Sequence, residues 1–478
     1  MKLNLIKTLM VFAILILNLP LQAQNYEAYM PPQDSLAKIK LEKWQDMKFG
    51  LIMHWGLYSQ IGVVESWGLC SEDQGFQDRK GMNYTDYKDM YFGLIKKFNP
   101  INFNPDLWAD AAQKAGMKYV VFTTKHHDGF CMFDTKETDF KITGAESPFH
   151  NNPKANVAKY IFEAFRNKNF MIGAYFSKPD WHCPLYWSPL LATPNRNNNY
   201  DIKKYPDRWK AFQDYTFNQI KELTTGYGRI DILWFDGGWV RPDSTINAEV
   251  RSWEYDISKW DQDINMPRIA KMARTNQPGV LLVDRTVHGP YEDYRTPEQS
   301  VPDKALPYPW ESNMTMTDNW GYCPNANFKT AEKIVRTLID VVSKGGNFLL
   351  NVAPSPDGTF EETALSRLKE IGEWMNVNSE AIYATRQWIT FGEGKNLRFT
   401  TSKDGKYLYV FAYELPNNTL SINSLKTTKK LSAKMLGSNA AIKSELKEGV
   451  YTLTLPASLQ SPKARPSKYA SVFKITLK

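Results

Sequence analysis

Short, nearly unbroken apolar runs alternate along this chain with longer stretches in which apolar residues return every three or four positions. Ile230, Ile232, Leu233, Trp234 and Phe235 form one such run, closed by Gly237 and Gly238. It predicts a strand covered on both faces in a parallel sheet, because a half-exposed strand would alternate with polar residues. Lys48–Trp55, Lys118–Thr124, Met171–Phe176, Val280–Asp284 and Asn347–Val352 read in the same way. Between them lie helical patterns. Asn104 as N-cap, Pro105 at the first helical position and Leu107, Trp108, Ala111, Ala112 and Ala115 predict a helix that Gly116 ends. Ala155–Arg166, Trp209–Leu223, Pro267–Thr275, Lys329–Ser343 and Glu361–Met375 predict others.

Helix and strand alternate throughout, with about seven strands expected, which implies an α/β fold on a parallel sheet. Polar residues repeatedly follow the strand ends, which favours a (β/α) barrel, regular or distorted, over an open sheet. Gly56–Pro100 is long, polar and rich in Gly and Tyr, as an extended loop over the catalytic face would be. The texture then changes. Leu397–Thr401, Tyr407–Tyr413, Thr419–Ile422, Tyr451–Leu455 and Tyr469–Leu477 read as short strands between turns, so residues 390–478 are expected to form an all-β sandwich behind a catalytic barrel of residues 24–385. The sandwich reads better as a buttress than as a sugar-binding unit.

The N-terminus adds a targeting signal. Lys2 and Lys7 precede the apolar run Leu9–Leu17, followed by Pro20 and Ala23, the pattern of a secretory signal peptide over residues 1–23. The mature chain is expected to start near Gln24 and to reach the periplasm or the exterior. No later run is long enough to span a membrane. A formal charge of +8, from 59 basic against 51 acidic side chains without a dense basic block, gives nucleic acid binding little support. Cys70, Cys131, Cys183 and Cys323 lack zinc-type spacing, and nothing about them demands a disulfide.

His54, His126 with His127, Tyr175 and Asp236 stand at the ends of four strands, with Arg285 and Glu298 on the next segment. Asp236, on a glycine turn, is either a catalytic carboxylate at a barrel mouth or the cap of that turn. His126 and His127 argue against a metal pair, since neighbours on an extended segment point to opposite faces. Neither a serine nucleophile elbow nor a phosphate loop stands out. A glycosidase would need a second acid, and Asp284, Glu292, Asp293 and Glu298 are available.

MHWGLYS, TTKHHDGF, WFDGGW, RTPEQ, the WES and NWGY segments around Trp310 and Trp320, and NFLLNVAP occur in this order between about residues 40 and 385. Together they resemble the α-L-fucosidases of glycoside hydrolase family 29. The resemblance implies an exo-acting, retaining enzyme that releases terminal fucose from fucosylated oligosaccharides or glycoconjugates, without metal or organic cofactor. Asp236 would be the nucleophile. His54, His126, His127, Tyr175 and Trp234 would line the fucose pocket. Glu65 and Trp67 would do likewise, although their spacing differs from the tighter pair of the family. Arg285 would be the cation beside the nucleophile, and Trp320, rather than Trp310, the wall for the C6 methyl. Glu298 would be the acid/base, with Glu292 the alternative.

Overall fold

A computed structural model describes residues 28–72, 77–253, 256–428 and 431–477. The expected signal segment, residues 1–23, lies outside the described residues. Seven strands, β1 Phe49–Met53, β2 Tyr119–Lys125, β3 Met171–Ser177, β4 Ile232–Asp236, β5 Leu281–Asp284, β6 Glu311–Thr315 and β7 Asn347–Asn351, form one sheet in the order β5-β4-β3-β2-β1-β7-β6. Every pairing in it is parallel. The two edges are joined by an irregular stretch. Asp284 N–H donates to Tyr291 O and Asp293 N–H to Leu282 O, while Arg295, Pro297 and Gln299 exchange backbone bonds with Pro309, Glu311 and Asn313. Backbone hydrogen bonds therefore run round the whole ring, and residues 291–299 serve as the eighth stave of a distorted barrel. No helix separates β5 from β6, unlike most of the other strand pairs.

Alternate residues of each strand turn inward. Ile52, Tyr119, Val121, Met171, Tyr175, Ile232, Trp234, Leu281, Val283 and Leu349 pack together in the bore. Leu51, Val120, Phe122, Ile172, Leu233, Phe235, Leu282 and Leu350 face the surrounding helices. Trp44, on the helix Ser35–Met47, stacks on Tyr294 with ring centroids 3.9 Å apart and belongs to the same interior cluster. The bore is filled by these side chains, so no channel runs through it.

β6 is absent from the apolar pattern for a physical reason. Its inward positions are Glu311, Asn313 and Thr315, all buried; Glu311 bonds across the bore to Tyr119 and Trp234, and Asn313 and Thr315 line the cavity above it. The stretch read as a loop over the catalytic face also differs: it contains the helix Tyr84–Phe92, started by Asn83, whose side chain accepts from Asp86 N–H.

Beyond the helix Glu362–Asn378, strands pair antiparallel in a five-stranded and a three-stranded sheet around their own apolar core. Thr385–Glu393, Ala433–Met435 and Lys443–Lys447 join the strands that the sequence pattern marks. The unit rests on the barrel helices: Trp374 Nε1 donates to Ala470 O at 3.1 Å, and Arg398 Nε pairs with Asp340 at 2.5 Å.

Candidate active site

Asp236 ends β4, where register puts it beside Ser177 of β3. The chain must turn away at once. Gly237 does so at φ +85°, and a side chain on Gly238 would put its Cβ 2.0 Å from Thr286 Oγ1 and 3.0 Å from Arg285 O. Glycine here lets the end of β5 close in, which brings Arg285 to Asp236.

Asp236 Oδ1 accepts from Arg285 Nη1 at 3.0 Å, and Oδ2 accepts from Tyr175 OH at 2.7 Å. His127 Nε2 stands 3.9 Å from Oδ2. Burial alone would raise the pKa of Asp236. The Arg285 charge, His127, the Tyr175 hydroxyl and the Gly237 N–H outweigh it and hold the carboxyl well below the usual range, so it is ionised. Arg285 uses its other arm on Glu298, donating from Nη2 to Oε2. Its guanidinium lies over the Trp234 ring, 5.0 Å from the centroid. One cation thus bridges two carboxylates: Asp236, on a regular strand with its side chain 16% exposed, and Glu298, on the closing stave and 41% exposed.

Glu292 is placed otherwise. Its carboxylate, 3% exposed, accepts from Thr286 N–H at 3.2 Å and lies 2.6 Å from His288 Nδ1. His288 also meets Glu249 at 3.3 Å. This cluster staples the loop after β5 and does not line the cavity. Asp284 is tied to buried Lys178 at 2.6 Å, and Asp293 to Arg274 at 3.2 Å.

The opposite wall is built of neutral rings. His54, His126 and His127 are pushed down by burial, His54 to about 4 and His127 to about 3, so none carries charge near neutrality. His126 Nδ1 is 2.6 Å from Ser66 Oγ, and His127 Nδ1 is 2.9 Å from Ser177 Oγ. The two adjacent histidines do not diverge as an extended segment would require. The register shifts between Thr123 and Lys125, β2 ends, and the chain turns, leaving the rings 4.2 Å apart on one cavity wall. Glu65 Oε1 lies 3.7 Å from His54 Nε2, and burial, then the charges of Glu298 and Asp236, push its carboxyl well above the ordinary range. The ligand-type atoms of His54, Glu65 and His126 lie within 4.8 Å of one another. Neutral imidazoles and a carboxyl that favours its proton offer both acceptors and a donor, the complement of a ring of hydroxyls.

Eleven of the residues singled out from sequence, His54, Glu65, Trp67, His126, His127, Tyr175, Trp234, Asp236, Arg285, Glu298 and Trp320, line this one cavity of about 720 Å³, while Asp284, Glu292 and Asp293 lie outside it. Trp320 lies 5.0 Å from the His54 ring, whereas Trp310 is buried away from it. Sequence reasoning missed Arg196, Trp239, Trp253, Gln299, Asn313, Thr315 and Lys329, which extend the walls. Trp239 stood within the WFDGGW string; Asn313 and Thr315 lay on the strand without an apolar signature. Every lining residue precedes the sandwich.

A plugged barrel with two carboxylates on one guanidinium at its mouth, facing a wall of neutral imidazoles, is the architecture of a glycoside hydrolase. A sequence model of the family described as alpha-L-fucosidase matches residues 17–380, and the chain belongs to that family. An alpha-L-fucosidase of Dictyostelium discoideum is 27% identical over 97% of this chain and 98% of its own length. Among solved structures, alpha-L-fucosidase isoenzyme 1 from Paenibacillus thiaminolyticus is similar with a TM-score of 0.74 and 28% identity, covering 93% of this chain and 100% of that one. The alpha-fucosidase of Thermotoga maritima, solved with fucose and with a mechanism-based inhibitor, gives a TM-score of 0.71 and 25% identity, covering 94% and 100%.

Proposed function

We propose that the chain is an exo-acting α-L-fucosidase that hydrolyses terminal fucose with retention through a covalent fucosyl-enzyme. The observation that carries this is the pair of carboxylates, Asp236 and Glu298, held by Arg285 at the mouth of a blind cavity. Asp236 is ionised and fixed by three elements, as a nucleophile must be. It attacks the anomeric carbon while the glycosidic oxygen takes a proton from Glu298. Glu298 is open to solvent, its side chain 41% exposed. In the second step Glu298 accepts a proton from water as the water displaces Asp236. His54, Glu65, His126 and His127 receive the sugar hydroxyls, and Trp320 offers an apolar face to the C6 methyl. The filled bore admits a chain end and no more, which supports exo action.

Asp236→Ala should lose several orders of magnitude in turnover of an aryl α-L-fucoside while keeping its fold. Near-normal turnover would sink the assignment. Glu298→Ala should lose activity that azide partly restores as fucosyl azide; the same rescue in Glu292→Ala instead would reassign the acid. The apolar run behind Lys2 and Lys7 supports export to the periplasm or exterior, and N-terminal sequencing of mature protein starting far from Gln24 would refute it. Among the described residues no helix is long and apolar enough to cross a membrane.

A further inference from the structure

Asn351 ends β7 with its side chain buried, and both ends of its amide engage residues of the cavity wall. Its Oδ1 accepts from the backbone N–H of His54 at 3.2 Å and stands 2.9 Å from His54 Nδ1. Its Nδ2 donates to the backbone carbonyl of Trp320 at 2.7 Å. These partners fix the orientation of the amide twice over: a backbone N–H can only donate, so it faces the oxygen, and a carbonyl can only accept, so it faces the nitrogen. The position follows from the sheet, where Asn351 pairs with Ile52, two residues before His54. An amide oxygen beside Nδ1 requires the proton on that nitrogen, which leaves a lone pair on Nε2, the nitrogen that faces Glu65.

We propose that Asn351 is a positioning residue that holds His54 in its Nδ1–H form, so that Nε2 accepts from a sugar hydroxyl, and fixes Trp320 beside the same sugar. This rests on the reading of the cavity as a fucose site. His54 and Glu65 then present an acceptor and a donor side by side, and a hydroxyl bridging them is bound in one direction only. One amide couples the hydroxyl-reading wall to the methyl-reading wall, although the two belong to loops after different strands.

Besides Glu65, the groups facing His54 are His126 after β2, Tyr175 of β3, Asp236 of β4, and Arg285 and Glu298 after β5. Burial dominates and keeps the ring neutral; the Asn351 contact and the two carboxylates oppose it. Asn351→Asp preserves shape but puts a carboxylate on Nδ1 and removes the donor to Trp320. The added charge favours imidazolium, so His54 should titrate at higher pH, and kcat/KM should fall below that pH as Nε2 becomes protonated. Asn351→Ala should raise KM for an aryl α-L-fucoside about tenfold, with less effect on kcat, as expected when ground-state binding is lost.

The decisive measurement is long-range proton–nitrogen NMR of the full chain, which has six histidines, the His54 signal being the one lost in His54→Gln. The expected result is an Nδ1–H imidazole in the parent protein and a raised His54 titration in Asn351→Asp. An Nε2–H imidazole, or identical titration in both proteins, overturns the proposal. If the parent protein binds no fucoside and turns none over, the functional reading fails, while the tautomer still stands or falls by the NMR.

Discussion

Arg285→Gln isolates the electrostatic work of the site, because glutamine keeps hydrogen-bonding capacity and removes the charge that Asp236 and Glu298 share. The Asp236 contact is 3.0 Å between side chains only 12% and 16% exposed, so solvent screens it weakly. Two unit charges about 4 Å apart interact by roughly 4 kcal/mol at an effective dielectric near 20. Each pH unit of pKa corresponds to about 1.4 kcal/mol, and an adjacent opposite charge usually lowers a carboxyl pKa by about one to three. Tyr175 OH and the Gly237 N–H remain in the variant, so a displacement of about two is expected. The sign is upward: the pKa of Asp236 is depressed in the parent, and without Arg285 burial raises it. The Asp236 carboxyl should therefore titrate about two pH units higher in Arg285→Gln, followed through its carboxyl carbon by NMR rather than through kcat/KM, whose acid limb the protonation of His54 at about 4 reaches first. An Asp236 titration that coincides with that of the parent, in a variant with an unchanged circular dichroism spectrum, would refute the electrostatic account.

Two further expectations concern stability. Asp284→Ala strands the buried ammonium of Lys178, paired at 2.6 Å in the parent, and should cost about 3–5 kcal/mol, read as a lower unfolding midpoint; an unchanged midpoint contradicts it. Burial pushes the Glu311 carboxyl from 4.5 up to about 7. The folded state therefore binds more protons than the unfolded one between those values, and stability falls as pH rises through the window. Glu311→Gln removes the effect, so relative to the parent it should gain up to about 3 kcal/mol between pH 4.5 and 7. Melting curves whose difference does not change with pH would exclude this.

The strands legible in the sequence are those whose two faces are both covered by apolar neighbours, such as Ile232–Phe235 between the bore and the helices. β6 was not legible because Glu311 spends its inward position on Tyr119 OH at 2.6 Å and Trp234 Nε1 at 3.2 Å, a polar use that no hydrophobic periodicity can signal. The residues that gather round the cavity were legible as motif strings at strand ends. Hydrogen-bond roles were not, since Asn351 looks like any other polar residue of NFLLNVAP until the neighbouring strand places His54 above it. The different surroundings of Glu298 and Glu292 were hidden for a similar reason: both lie on one loop, and only the fold shows that one opens to solvent while His288 holds the other.

The closing stave has a consequence for how such a barrel tolerates change. Asp236 belongs to an unbroken strand ladder, where an inserted residue would turn every inward side chain outward. Glu298 belongs to a stretch joined to its neighbours by isolated bridges, Glu298 with Asn313 and Arg295 with Trp310. Between such bridges the chain can lengthen or shorten and pair again, provided some carboxylate still reaches the free arm of Arg285. The number of residues separating the two carboxylates is thus under little constraint, while the guanidinium between them acts as the gauge against which the second one is set.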